Sequence, residues 1–228
     1  MITVRRSHER GHAQHGWLDS RFSFSFADYY DPRHMGVSVL RVINEDWIKP
    51  GTGFDTHPHR DMEIISYILE GSIEHQDSMG VHSTLKAGEF QVMSAGTGIR
   101  HSEFNPSDSV TLHLLQVWIQ PNKKGLTPRY AQQDYSDTQG ITLIVSADGR
   151  NGSLPIQQQA NLYKLSLSHE TQTFTATRAR TYYLQVARGS LDLNGTCLEA
   201  GDGATITDET LLNLEAKKTT EGLLFELP

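Results

Sequence analysis

Two short segments of the chain each carry two metal-ligand residues one position apart. The first is His57-Pro58-His59, and the second, about forty residues further on, is His101-Ser102-Glu103. Because successive side chains of a β-strand point to opposite faces, residues i and i+2 share a face. Two such pairs on facing strands would place three imidazoles and one carboxylate around one point. This donor set is that of a first-row transition-metal site.

The donor types narrow the choice of metal. Neutral imidazoles and a carboxylate suit Fe(II), Mn, Co, Ni, Cu and Zn. The only cysteine, Cys197, is far from both segments, which argues against a structural zinc–thiolate site. A coordination sphere left open beside four protein ligands can admit substrate or dioxygen, as in non-haem oxygen chemistry. We therefore expect one divalent transition metal per chain, with Fe(II) as first choice and Ni, Cu, Co, Mn or Zn compatible with the same ligands.

Two acids could complete the ligand set. Glu103 shares a strand face with His101, whereas Glu63 follows His59 by four positions, and spacing alone puts Glu103 only modestly ahead. His113 and Gln116 lie on opposite faces of their strand by parity, so at most one of them points inward, and neither is assigned a role. The remaining histidines have no ligand partner at metal-site spacing and are expected at the surface or in hydrogen bonds: His8, His12, His15, His34, His75, His82 and His169.

The elements that must position these ligands are strands. Short β-branched and apolar runs such as Met62–Leu69 and Thr111–Ile119 recur along the chain, separated by glycine-rich turns. This pattern is typical of an all-β barrel or sandwich. Helical periodicity is weak, and at most Ser153–Gln159 or Arg129–Tyr135 could form short helical turns.

The chain divides near its middle. The segment Pro121–Arg129 is polar, with two prolines and a glycine, and is interpreted as a linker. We therefore expect an N-terminal metal-binding domain over residues 1–125 and a C-terminal domain over residues 126–228. Ten of the eleven histidines precede this linker, so the metal chemistry is expected in the first domain.

Two sequence echoes suggest that the second domain is a copy of the first. Lys86–Phe90 resembles Glu199–Gly203, and Leu69–Ile73 resembles Ala187–Leu191, in the same order and at similar spacing. The second copy has no pair of histidines. The sequence thus predicts a duplicated β-domain in which only the first copy binds metal.

Composition limits the function classes. The net charge of −7 argues against direct nucleic-acid binding, which needs a basic surface. One cysteine excludes an intrachain disulfide and favours a reducing compartment. No apolar run approaches the roughly 20 residues of a membrane span, and Arg5-Arg6 is not followed by the apolar stretch of a signal peptide. We expect a cytoplasmic protein.

The segment Gly51-x5-His57-x-His59-x3-Glu63-x7-Gly71 closely follows the first cupin motif. The second motif is looser, with a longer glycine-rich approach to His101 and a matching His101-x3-Asn105 ending. That departure is itself characteristic, because the following segments together resemble the pirin family: Gly16–Leu18, Phe22–Phe26, His57–Glu63 and Gln91–Glu103. The resemblance is dense from about Arg5 to Gln120 and broader beyond.

The resemblance implies a fold and a ligand set. Pirin-like proteins have two cupin (jelly-roll β-barrel) domains in tandem, the second degenerate and without metal ligands. The implied metal ligands are His57, His59, His101 and Glu103. Glu63 then becomes a candidate for orienting an imidazole by a hydrogen bond, although a solvated or salt-bridged Glu63 is equally compatible.

The resemblance also implies an activity, because bacterial pirin-like proteins are similar to quercetin 2,3-dioxygenases. These cleave flavonols with O2 and release CO, and Glu103 would be the catalytic base that accepts the proton of the flavonol 3-hydroxyl. A second hypothesis is a metal- or redox-sensing protein that binds a regulatory protein partner without turnover, since eukaryotic pirins are described as transcription cofactors. A third is a cupin isomerase or hydrolase that uses the metal as a Lewis acid.

Overall fold

The computed structural model describes residues 1–228, and the chain is almost entirely β-structure, with 58% strand and 3% helix. The prediction of an all-β protein with two tandem cupin domains is confirmed. The helical residues form two single 3-10 turns, Ser7–Glu9 and Arg150–Gly152. None of the helical segments has the length and apolar character needed to cross a membrane. The cytoplasmic location stays a prediction.

The strands fall into two consecutive sets along the chain. The first set is β1 (Ile2–Arg5), β2 (Gly11–Gln14), β3 (Leu18–Phe22), β4 (Leu40–Ile48), β5 (Gly53–His59), β6 (Glu63–Glu70), β7 (Ser72–Asp77), β8 (His82–Lys86), β9 (Glu89–Ser94), β10 (Ile99–Phe104), β11 (Leu112–Ile119) and β12 (Arg129–Asp134). The second set is β13 (Gly140–Ser146), β14 (Leu154–Pro155), β15 (Asn161–Leu167), β16 (Glu170–Thr175), β17 (Thr181–Arg188), β18 (Ser190–Leu193), β19 (Thr196–Glu199), β20 (Gly203–Ile206), β21 (Leu211–Ala216) and β22 (Thr220–Leu227).

Each domain consists of one seven-stranded and one four-stranded sheet. In the first domain the orders are β12-β9-β6-β11-β4-β3-β2 and β5-β10-β7-β8. In the second they are β1-β20-β17-β22-β15-β13-β14 and β16-β21-β18-β19. The orders correspond along the four-stranded sheets and the inner strands of the seven-stranded sheets, which supports the duplication predicted from the two echoes. One outer end differs, since β2 pairs antiparallel with β3 whereas β14 pairs parallel with β13. The echoed turns also match in conformation, since Gly71 and Gly189 have φ of 78° and 82°.

The two domains exchange one edge strand each. β1, at the N-terminus, pairs antiparallel with β20 of the second domain, and β12, beyond the predicted linker, pairs antiparallel with β9 of the first. Arg129–Tyr135 is therefore not helical, because its backbone hydrogen bonds are made along the edge of the first large sheet. The division between residues 125 and 126 stays a prediction, and a cut there would separate β12 from the sheet that it completes.

The large sheets pack against each other at the centre of the molecule. Their facing side chains form the largest buried apolar cluster, which includes Ile65 and Val117 of the first domain and Leu162 and Phe225 of the second. Alternate residues of the same strands point into the barrels, as Ile64 and Ile68 do in the first domain. The second domain thus covers one face of the sheet whose other face lies behind the predicted metal ligands.

Candidate metal centre

The predicted imidazoles meet on two adjacent strands of the small sheet. β5 and β10 run antiparallel, with His57 directly opposite His101. The ring centroids of His57 and His101 are 4.5 Å apart, and those of His59 lie 4.8 Å from His57 and 4.9 Å from His101. One ring nitrogen from each histidine lies within 4.8 Å of the others. The structure therefore brings the three predicted histidines into one cluster.

A bulge in β5 allows the cluster to form beside an aromatic side chain. Between His101 and Glu103 of β10, the partner residue on β5 moves from His57 to Phe54, so β5 holds one extra residue there. Asp55 and Thr56, the two residues at the bulge, are both exposed. Strict alternation would direct Phe54 and His57 to opposite faces, whereas the bulge directs both of them, with His59, to the same cavity.

The hydrogen bonds of two histidines leave their Nε2 atoms free. His57 Nδ1 lies 2.8 Å from the carbonyl oxygen of Asp55, which can only accept, so the proton is on Nδ1 and Nε2 keeps its lone pair. His101 Nε2 is buried and has no hydrogen-bond partner. A buried polar atom without a partner costs about 1–3 kcal/mol. A bound cation would satisfy that atom, and the donor set fits a divalent metal.

A buried chain of hydrogen bonds extends behind His101. Its Nδ1 lies 3.4 Å from Nδ1 of His75, and Nε2 of His75 lies 3.1 Å from Oδ2 of Asp77. If Nε2 of His101 holds a metal, its proton is on Nδ1 and is donated to His75, whose own proton is then on Nε2 and is donated to Asp77. Such partners behind a ligand fix its tautomer and ring orientation. The sequence interpretation of His75 allowed a hydrogen bond but missed this role, which the spacing of His75 and Asp77 on one strand face could have indicated.

Glu103 is buried and held by two amides. Gln91 Nε2 donates to its Oε1 at 2.8 Å, and Gln116 Nε2 donates to its Oε2 at 3.1 Å. The carboxylate lies within 4.8 Å of nitrogens of His101 and His75, and Glu103 lines the same cavity as His57 and His59. Gln116 and His113 are expected on opposite faces of their strand. Gln116 faces the site, whereas His113 lies on the opposite face and forms a hydrogen bond with Glu45 at 2.9 Å.

Burial keeps two of the clustered imidazoles, those of His59 and His101, neutral. Desolvation, followed by the neighbouring His101 and His57, lowers the pKa of His59 to about 4. Desolvation, with smaller effects from His57 and His75, lowers the pKa of His101 to about 3. Near neutral pH each of these two rings therefore keeps a lone pair on one nitrogen, which is the form that binds a metal.

Glu63 lies apart from the imidazoles. Its Oε2 accepts hydrogen bonds from Ser94 Oγ at 2.6 Å and from the backbone N–H of Gln157 at 3.2 Å. Gln157 belongs to the second half of the chain, so Glu63 contributes to the contact between domains. None of its hydrogen bonds involves a histidine, and its proposed part in orienting an imidazole receives no support.

A cavity of about 350 Å³ opens beside the ligands. Its volume is within the range of small-molecule sites, roughly 300–1,000 Å³. The aromatic and apolar residues that line it are Trp17, Leu18, Phe22, Phe26, Ala27, Phe54 and Trp118. Polar side chains from β3 and β4, which the sequence interpretation did not assign to the site, line it too: Ser20, Asn44 and Asp46.

Comparisons with known proteins identify the family and the fold of this chain. A family model described as Pirin matches residues 3–119, and one described as quercetinase C-terminal cupin domain matches residues 143–227. An Escherichia coli K12 protein named quercetin 2,3-dioxygenase is 52% identical over 229 residues, covering 100% of this chain and 99% of that protein. A pirin-like protein of Caulobacter vibrioides is 40% identical over 231 residues, covering 99% of both.

A solved structure shows the same fold at high similarity. The crystal structure of the Escherichia coli bacterial pirin YhhW in complex with nickel(II) superposes with a TM-score of 0.97 at 51% identity. The match covers 100% of this chain and 99% of that one.

Proposed function

The chain belongs to the pirin family, and from this premise we propose that it is a metal-dependent dioxygenase that cleaves flavonols such as quercetin with O2 and releases CO. The observation that carries the proposal is the cluster of three imidazoles and a buried carboxylate beside an aromatic-lined cavity, which His57, His59 and Glu103 line. The names of the similar proteins support the same reaction class.

We assign one divalent metal to His57, His59, His101 and Glu103. The unpartnered Nε2 of His101 and the Nδ1 hydrogen bond of His57 support this assignment. Fe(II) is the first choice from the donor set, and nickel(II), bound by a similar protein, is a direct competitor. Cu, Co, Mn and Zn are compatible with the same donors. When bound, such a metal supplies a Lewis acid that favours ionisation of the flavonol 3-hydroxyl.

Glu103 is proposed as the base that accepts the proton of that hydroxyl. Its two oxygens each accept one amide N–H, from Gln91 and Gln116, and each retains a further lone pair. The amides fix the plane of the carboxylate, so an oxygen is held at the cavity before the substrate arrives. A positioned base of this kind typically contributes about 10²–10⁴-fold to a rate.

The aromatic walls suit a flat substrate. Trp17 and Phe54 pack edge to face at 5.1 Å, and Phe26 and Trp118 pack edge to face at 5.4 Å. Trp118 also packs against the ring of His59 at 5.0 Å. These side chains would hold a planar aromatic molecule beside the imidazoles and displace water from the site, which strengthens the electrostatic interactions there.

The two other hypotheses receive no separate support. No described surface or cluster points to the regulatory protein partner that a sensor without turnover would bind. Lewis-acid isomerisation or hydrolysis uses the same ligands, so the site alone does not favour it over dioxygenation. Turnover assays with and without O2 distinguish the three hypotheses, because the sensor has no turnover and the Lewis-acid enzyme needs no O2.

The test combines elemental analysis with an oxygen electrode. The purified protein is expected to hold about one transition metal per chain, and protein loaded anaerobically with Fe(II) or Ni should consume O2 and bleach the visible absorbance of quercetin. Activity with zinc and without oxygen would support the Lewis-acid enzyme. Absence of turnover with Fe, Ni, Co, Cu and Mn alike would contradict the dioxygenase.

A further inference from the structure

A polar wall stands inside the otherwise aromatic cavity. Ser20 of β3 lies opposite Asp46 of β4, and Asn44 is two residues from Asp46 on the same face. All three side chains line the cavity, yet each residue is at most 3% exposed. The intervening Glu45 points to the other face, where it pairs with Arg10 and His113. The three side chains therefore form a polar wall on one face of the sheet and are not part of a general polar surface.

The wall has unused hydrogen-bonding capacity. Asn44 Oδ1 is buried and has no partner. Asp46 accepts one hydrogen bond, from Ser20 Oγ at 2.5 Å, and forms no ion pair. Buried polar groups in folded proteins are normally paired, and an unpaired one calls for an explanation. A ligand that supplies a hydrogen-bond donor would explain both side chains.

The chemistry of the wall indicates which donor fits. The amide oxygen of Asn44 accepts only, and the Asp46–Ser20 pair can accept or share a proton. Burial raises the pKa of Asp46 to about 7, so near neutral pH its carboxyl group is present in both the neutral and the charged form, and either form can accept a hydrogen bond from a neutral donor. The aromatic side chains on the other walls require a flat ligand. A phenol is a flat ligand that supplies such a donor.

We propose that Ser20, Asn44 and Asp46 form a hydroxyl-recognition wall that selects aromatic substrates with a free phenolic hydroxyl away from the oxygens that meet the metal. This inference rests on the proposed function, which places the reacting group of the substrate at the metal. It adds a substrate class to that function, namely polyhydroxylated flavonols rather than flavonols that carry the 3-hydroxyl alone. A site built to pair a substrate hydroxyl discriminates strongly against an analogue that lacks it, because the buried groups of the site then stay unpaired.

The test measures binding without turnover. Nickel-loaded protein is titrated with quercetin and with 3-hydroxyflavone in the absence of oxygen, and the two dissociation constants are compared by fluorescence quenching. Wild-type protein is expected to bind quercetin at least about tenfold more tightly, as a net gain of one or two buried hydrogen bonds predicts. Equal affinities for the two ligands would overturn the inference without use of any variant.

Two variants locate the effect. Asn44→Leu should lower the affinity ratio about tenfold while 3-hydroxyflavone binds as before. Phe26→Leu, in the same cavity but outside the wall, should weaken the binding of both ligands and leave the ratio of their affinities unchanged. Should Asn44→Leu fail to fold, Ser20→Ala serves in its place, with a smaller fall in the same direction. An unchanged ratio in the folded wall variant would contradict the inference.

The outcomes separate this inference from the proposed function. If the protein binds quercetin more tightly than 3-hydroxyflavone but its iron and nickel forms consume no O2, the inference about the wall would stand and the proposed dioxygenase activity would be overturned. Turnover of both flavonols at equal affinity would keep the dioxygenase and overturn the wall.

Discussion

Replacement of Asp77 by Asn is expected to weaken metal binding although Asp77 touches no metal. Its Oδ1 accepts the backbone N–H groups of Met79 at 2.8 Å and Val81 at 3.1 Å, and its Oδ2 faces Nε2 of His75. In Asp77→Asn the amide oxygen should keep the two backbone donors. The amide NH2 is then directed at His75, whose Nε2 must become an acceptor.

That reversal passes along the chain of hydrogen bonds to the metal ligand. With its Nε2 accepting, neutral His75 carries its proton on Nδ1, which faces Nδ1 of His101 at 3.4 Å. His101 must then accept at Nδ1 and carry its own proton on Nε2, where the metal lone pair is required. Loss of such outer partners typically costs 10- to 100-fold in metal affinity, or about 1.4–2.7 kcal/mol.

A double-mutant cycle distinguishes this effect from simple disruption of the turn. His75→Phe retains the ring that stacks on Tyr130 at 4.7 Å but removes the relay. In the His75→Phe background, Asp77→Asn should therefore cost nothing further. Nickel affinity is measured by competition with a chelator, and thermal unfolding of the metal-free proteins reports on the fold. Unchanged affinity in Asp77→Asn, or additive losses in the double variant, would refute the reasoning.

Three further predictions concern the site and its strands. Glu103→Gln should abolish O2 consumption and weaken metal binding, whereas Glu63→Gln should leave the metal content near that of the wild type, because Glu63 bonds Ser94 and Gln157; reversed outcomes would mean that the ligand assignment is wrong. Metal-free protein should lose stability as the pH falls from about 6.5 towards 4, because His59 binds a proton at higher pH in the unfolded chain than in the folded protein, where its pKa is lowered. Urea unfolding near pH 7 and near pH 5 should show a smaller loss of stability in His59→Phe than in the wild type. An equal loss in the two proteins would contradict this origin. Gly53→Ala should reduce the free energy of unfolding by about 1–3 kcal/mol, because a Cβ there would overlap the Glu103 carbonyl oxygen and lie 2.5 Å from the Cα of Phe104. Denaturant unfolding measures this loss, and an unchanged free energy of unfolding would argue against the steric cause.

Local patterns in the sequence predicted much of the fold and part of the site. Alternation of apolar residues located the main strands, and the pairs of ligand residues one position apart placed three histidines on shared faces. The repeated turns around Gly71 and Gly189 predicted the duplication. These features depend on a few neighbouring residues, so they can be recognised without knowledge of the partner strands.

Features that depend on pairing between distant strands were not predictable. The exchange of β1 and β12 follows from how the two domains dock, and no local pattern marks it. The bulge in β5 can be recognised only when the pairing of β5 with β10 is known. The polar wall has a local trace, since Asn44 and Asp46 alternate within an apolar strand, but only the folded structure places them on the same cavity.

The most direct test of the proposed dioxygenase is the fate of isotopically labelled O2. Metal-loaded protein is mixed anaerobically with quercetin, labelled O2 is admitted, and the ring-opened product and the released gas are analysed by mass spectrometry. The account predicts that both labelled atoms enter the ring-opened product and that one unlabelled CO is released for each O2 consumed. A ring-opened product with fewer than two labelled oxygen atoms, or O2 uptake without CO, would contradict it.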